Sequence, residues 1–213
     1  MRQLFNNILY GLIYRWNAIN RIRISGNQNV LEKKGRMEGV DLLIQGNNNK
    51  VIIGHEAVVQ YTTIKILGDN HTIVFGQQCD IQKNEIWLQG KGNELIVGDF
   101  TMVVHSDIAV GETATKIVIG KHCMVAGELR TSDGHTILND QQKRVNYAED
   151  ITIGDNVWVC KGSMVLKGVE IGEGSMIAAR SIVTKDIPSK SMAAGAPAKV
   201  IRENIGWKRE LIS

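Results

Sequence analysis

Large aliphatic residues return every sixth position along the C-terminal half of this chain: Ile153, Val159, Val165, Ile171, Ile177 and Val183. Upstream the beat is longer. The blocks "VIIG", "IVFG", "LIVG" and "IVIG" end on Gly54, Gly76, Gly98 and Gly120, each 22 residues after the last, and "ITIG" at Gly154 and "VEIG" at Gly172 follow at intervals of 34 and 18. In every block the residue before the glycine is followed six positions later by a second large aliphatic one. The position four residues after it carries Ala57, Cys79, Thr101, Cys123, Val157 or Ser175, all small. Such spacing predicts short parallel strands joined by tight turns, with the large residue and its small neighbour pointing inward; three hexapeptides close one 18-residue triangular coil. The 22-residue coils need about four more residues at one corner, and seven or eight coils stack into a prism about 35 Å tall. No 3.6-residue period survives, so helical repeats are excluded.

The interval of 34 is 22 plus an insertion of 12, which must leave the prism as a loop, placed at 131–150. A loop on a rigid scaffold is where chemistry tends to sit. The loop holds "SDGH", ending in His135. The stretches "GNNN" at 46–49, "GDN" at 68–70 and "GKGN" at 90–93 recur as corners, where residues tolerating positive φ are needed; their role is structural. Trp158 neighbours the inward Val157 on a strand and must therefore point out.

The pattern fails at both ends. Residues 1–23 hold Leu4, Phe5, Ile8, Leu9, Leu12, Ile13 and Trp16 among Arg2, Arg15, Arg21 and Arg23, which reads as a short basic amphipathic helical segment packed on the protein. Peripheral docking at a membrane surface is the alternative reading; the segment is too short and polar to span a bilayer and carries no signal-peptide cleavage site. Residues 24–197 form the solenoid, and "AKVIRENIGWKRELIS" at 198–213 reads as an amphipathic helix capping the open end.

Charge adds little. A net +3 from 25 basic and 22 acidic residues does not point to nucleic acid. Three cysteines without CxxC spacing suit a reducing cytoplasm, with Cys79 and Cys123 filling inward slots.

Residues 151–202, "ITIGDNVWVCKGSMVLKGVEIGEGSMIAARSIVTKDIPSKSMAAGAPAKVIR", resemble the hexapeptide-repeat acyltransferases, in particular the galactoside and maltose O-acetyltransferase group. The pair "RTSDGH" and "RVNYAEDITIGDNVW" further resembles bacterial enzymes that O-acetylate capsular, lipopolysaccharide or polysialic acid chains. The resemblance covers about 95–205 well and the longer coils loosely. It implies a left-handed parallel β-helix, a homotrimer, acetyl-CoA as donor with no metal, and a sugar or polysaccharide hydroxyl as acceptor. His135 is then the general base: the acceptor hydroxyl must lose its proton as it attacks the thioester, and imidazole titrates near neutral pH. Asp133, two residues before, is the candidate to orient the ring. On the acceptor side the resemblance puts Trp158, His105 and Asn146. On the donor side it puts Lys161, Ala179, Thr184, Lys185 and Arg202, with Arg180 standing where relatives have glycine.

Three rival readings differ in class. A zinc enzyme on such a coil needs three converging histidines, and His105, His122 and His135 lack the spacing. A non-catalytic binding solenoid leaves "SDGH" unexplained, and an N-acetyltransferase on amino sugars differs only in acceptor.

Overall fold

The structure, a computed structural model, describes residues 19–211. It is a three-faced solenoid of parallel sheets, with no helix among those residues. The chain visits the faces in a fixed order. Arg21–Ser25 opens a first face of eight strands, Val30–Lys33 a second of seven, and Arg36–Glu38 a third of nine. Each strand pairs with the equivalent strand of the next coil, so Ile64 meets Ile86 and Ile86 meets Ile108.

The two columns read from the sequence are the core. Ile53, Phe75, Val97, Ile119, Ile153 and Ile171 are all buried, as are the small residues Ala57, Cys79, Thr101, Cys123, Val157 and Ser175 beside them. Packing one large against one small residue in every coil lets successive coils repeat the same section. The three cysteines are free and buried, and desolvation pushes the Cys79 and Cys123 thiols up to about 11.

The four extra residues of the longer coils sit at the edge between the first and second faces. There a ladder of buried side chains runs along the prism: Asn49 donates its amide to Asn29 Oδ1 at 3.0 Å, the His71 N–H donates to Asn49 Oδ1 at 2.9 Å, and the Asn93 N–H donates to His71 Nδ1 at 3.1 Å. Gly90 at this edge has φ +115°, and a Cβ there would lie 1.8 Å from the Glu112 carbonyl oxygen. That close approach between coils is why only glycine fits.

Two expectations for the ends change. Residues 1–18 of the N-terminal amphipathic segment lie outside the described residues, but Arg21–Ser25 is already a strand, so the solenoid starts within the stretch assigned to that segment. Ile22 and Ile24 alternate with polar neighbours there, a period of two that suits a strand. At the other end, Ala198–Arg202 is no helix but an antiparallel strand on Met192–Gly195. Pro197 makes the turn, and the sheet edge left open by Met192–Gly195 offers backbone partners that an isolated helix would not use. Beyond it the chain lies against the third face, where Trp207 Nε1–H donates to the Asn156 carbonyl at 2.7 Å and Arg209 donates to the carbonyls of Phe100 and Cys123.

Candidate active site

The loop at 131–150 leaves the prism at the edge that also carries the asparagine ladder. Its neck is closed by the Glu149 N–H donating to the Thr131 carbonyl at 2.9 Å, and its tip is a small hairpin with Leu138 bridged to Arg144. The backbone ladder of the prism does not extend into this loop, so side chains satisfy it. Asn146 is buried and does most of this: Oδ1 accepts from the Ile137 N–H at 2.7 Å, while Nδ2 donates to the His135 carbonyl at 2.6 Å and to Asp133 Oδ2 at 2.8 Å. Asp133 also receives Lys167 Nζ at 2.5 Å, and these two donors, Lys167 first, hold its carboxyl below the usual carboxylate range.

A second ion pair braces the other side of the loop. Arg144 donates to Glu112 Oε1 at 2.5 Å and to the Asn146 carbonyl at 2.8 Å, and Ser132 Oγ donates to Glu112 at 2.7 Å. Arg144 keeps the Glu112 carboxyl low. Ser132 and Arg144 belong to the loop itself, whereas Lys167 and Glu112 reach it from the neighbouring coils and were not singled out in the sequence for that reason. Lys167 follows the strand Met164–Val165, which pairs with Glu128–Arg130 one coil earlier, so it stands at the edge where the Asp133 loop leaves the prism.

His135 is exposed on this braced loop and lines a cavity of about 730 Å³ that extends over the first face to Trp87. Among the described residues its ring makes no hydrogen bond. The Asp133 carboxylate is committed to Lys167 and Asn146, and Asn146 is occupied within the loop, so both fix the backbone that carries the histidine.

The remaining candidates lie elsewhere in this chain. His105, Lys161, Ala179 and Arg180 share the edge between the third and first faces, where the Arg180 N–H donates to the Lys161 carbonyl at 3.2 Å. Thr184 and Lys185 follow Ile182–Val183 at the edge of the His135 loop, and Arg202 ends the last strand of the third face. Trp158 points outward from the third face under Trp207, with ring centroids 5.7 Å apart. His122 stacks on Phe100 at the remaining edge, so His105, His122 and His135 stand on three different edges and do not converge.

Fold and site together define a hexapeptide-repeat solenoid whose repeat is broken once, by a braced loop presenting a histidine to a cavity. The profile described as bacterial transferase hexapeptide (six repeats) matches residues 150–185. The chain is 45% identical over 98 residues to the polysialic acid O-acetyltransferase of Escherichia coli O1:K1 / APEC, covering 43% of this chain and 32% of that protein. It is 48% identical over 71 residues to the galactoside O-acetyltransferase of Escherichia coli K12, covering 33% of this chain and 35% of that one. These aligned segments thus span about a third of each curated relative. Among solved structures, the polySia-specific acetyltransferase NeuO superposes with a TM-score of 0.80 at 34% identity, over 90% of this chain and 83% of its own. The polysialic acid O-acetyltransferase OatWY superposes with a TM-score of 0.83 at 28% identity, over 91% of this chain and 93% of its own. The chain belongs to the bacterial hexapeptide transferase family.

Proposed function

We propose that the protein transfers an acetyl group from acetyl-CoA to a sugar hydroxyl of a bacterial surface polysaccharide, with His135 as general base. The observation that carries this reading is the placement of His135 on a braced loop at the mouth of the 730 Å³ cavity. The relatives named for acetyl transfer to polysialic acid and galactosides support the reaction class.

In this mechanism the imidazole takes the proton of the acceptor hydroxyl as its oxygen attacks the thioester carbonyl. The tetrahedral intermediate collapses with cleavage of the C–S bond, and the imidazolium returns the proton to the departing CoA sulfur, so no acetyl-enzyme is formed. Asp133 and Asn146 act by holding the loop that carries the histidine.

The donor candidates divide between two edges of the prism, Thr184 and Lys185 on one, Lys161, Ala179 and Arg180 on the other. A CoA molecule lying in a groove between the edge of one copy and the opposite edge of the next touches both sets. That division supports a homotrimer, which also offers the outward Trp158 of one copy to the loop of another. No metal takes part in the proposed step.

The deciding experiment measures thiol release from acetyl-CoA over a panel of free sugars, amino sugars and bacterial polysaccharides. Turnover on hydroxyl acceptors with a base-labile ester product supports the proposal. Turnover confined to amino sugars makes the protein an N-acetyltransferase, and no turnover on any acceptor leaves a binding solenoid.

A further inference from the structure

The cavity beside His135 continues along the first face, and its far end is built differently from its mouth. One outward column of that face reads Arg23, Leu43, Lys65, Trp87, Ala109 and Arg130 from coil to coil. Trp87 is 39% exposed and lines the cavity together with Ala109 and Arg130. Lys65 Nζ lies 4.4 Å from the centre of the indole and covers one of its faces. The strand partner on the other side is Ala109, the smallest side chain of the column. Arg130 follows, its guanidinium held by Glu128 and Asp107. A notch one alanine wide therefore opens between a fixed indole and a fixed guanidinium.

An exposed indole that opens into a cavity suits a ligand with an apolar face and a polar rim. A pyranose ring has both: C–H bonds on one face, hydroxyls at the edge. Glu85, exposed two residues before Trp87 on the same strand, offers a carboxylate to such hydroxyls. Trp87 lies two coils before Arg130, about 10 Å along the prism at the usual strand spacing. One sugar cannot fill the notch and also present a hydroxyl to His135.

We propose, building on the acetyl-transfer reading, that Trp87 is a specificity-determining residue that binds an acceptor sugar remote from the one being acetylated. The acceptor is then an oligosaccharide or polymer lying along the first face, one ring in the notch between Trp87 and Arg130 and another at His135.

The test compares acceptor KM and kcat for the wild type, Trp87→Ala, Trp87→Phe and Ala109→Leu, with oligosialic acids and maltooligosaccharides of graded length as probes. For the longer probes Trp87→Ala should raise KM about three- to tenfold with kcat unchanged, while the shortest accepted probe keeps its KM. Trp87→Phe should retain most of the affinity, and Ala109→Leu should reproduce the loss by filling the notch. Equal changes at every length, no change at all, or loss accompanied by an altered oligomeric state would overturn the proposal. Failure of the wild type to acetylate any acceptor would sink the acetyl-transfer reading instead. Length-dependent quenching of indole emission by the same probes, absent in Trp87→Phe, then decides whether the notch holds a glycan.

Discussion

At the residue scale, the chain fixes the backbone around His135 and leaves the ring free to work. Asn146 supplies three of the hydrogen bonds that shape the loop, all of them to groups within it. Asn146→Ala should therefore loosen residues 131–150 and leave the coils alone, because no core column is touched. Each hydrogen bond lost from this partly exposed loop costs about 0.5–1.5 kcal/mol, enough together to unlatch a loop and too little to melt the solenoid. Hydrogen exchange should show faster exchange confined to the loop, with transfer activity reduced at least tenfold. A loop as protected as in the wild type would remove Asn146 from this role. The candidate site was legible in part: Ser132, Asp133 and His135 stand in one motif, whereas Lys167 and Glu112 reach the loop from other coils and are seen only once the strands are paired. Asp133 reads in sequence as a candidate to orient the ring, and in the fold its Oδ2 accepts from Lys167 of the next coil and from Asn146.

At the scale of the element, the buried ladder between the first and second faces contains one irregular rung. His71 stands where the neighbouring coils have Asn49 and Asn93, and it is fully buried. Its Nδ1 accepts the Asn93 N–H, so the ring is neutral with its proton on Nε2, which has no hydrogen-bond partner among the described residues. Burial lowers its pKa, opposed in part by the backbone of Leu67, Gly90 and Asn93 and least by the Asp69 carboxylate. Protonation would set an N–H against the Asn93 N–H. The sign follows from the depressed folded pKa: the stability from a neutral His71 is complete above the unfolded value of about 6.5 and is lost as pH falls below it toward the folded value. Thermal melts should show a midpoint falling from neutral to mildly acidic pH in the wild type and a flatter profile in His71→Asn, which restores the asparagine ladder. Identical slopes would show that His71 does not control the acid response. The coils themselves were legible because each one buries the same two columns, so sequence period and packing period coincide. The C-terminal strand was not: Ala198–Arg202 is amphipathic enough for a helix, but the turn at Ala196 and Pro197 folds it back on Met192–Gly195, whose open edge selects the strand.

At the scale of the whole molecule, the two groups of donor candidates and the outward Trp158 make sense when copies stand side by side, so light scattering should report a trimer. A stable, fully active monomer would contradict the shared groove. Lys185→Ala and Arg202→Ala should raise the acetyl-CoA KM about tenfold with little change in kcat, since cations meeting phosphates bind ground and transition states alike; the effect should shrink in high salt. Arg180→Gly separates two roles, weakening the donor if the guanidinium meets phosphate and tightening it if the side chain crowds pantetheine. If His135 moves the proton in acetyl transfer, its removal must show in the rate of transfer. The measurement that tests it most directly is the transfer of labelled acetyl from acetyl-CoA to the polysaccharide acceptor by wild type and by His135→Ala, each first shown to have the same fold and oligomeric state. His135→Ala should lose about 10²- to 10⁴-fold in kcat. Activity within a few-fold of the wild type in the folded variant would contradict it.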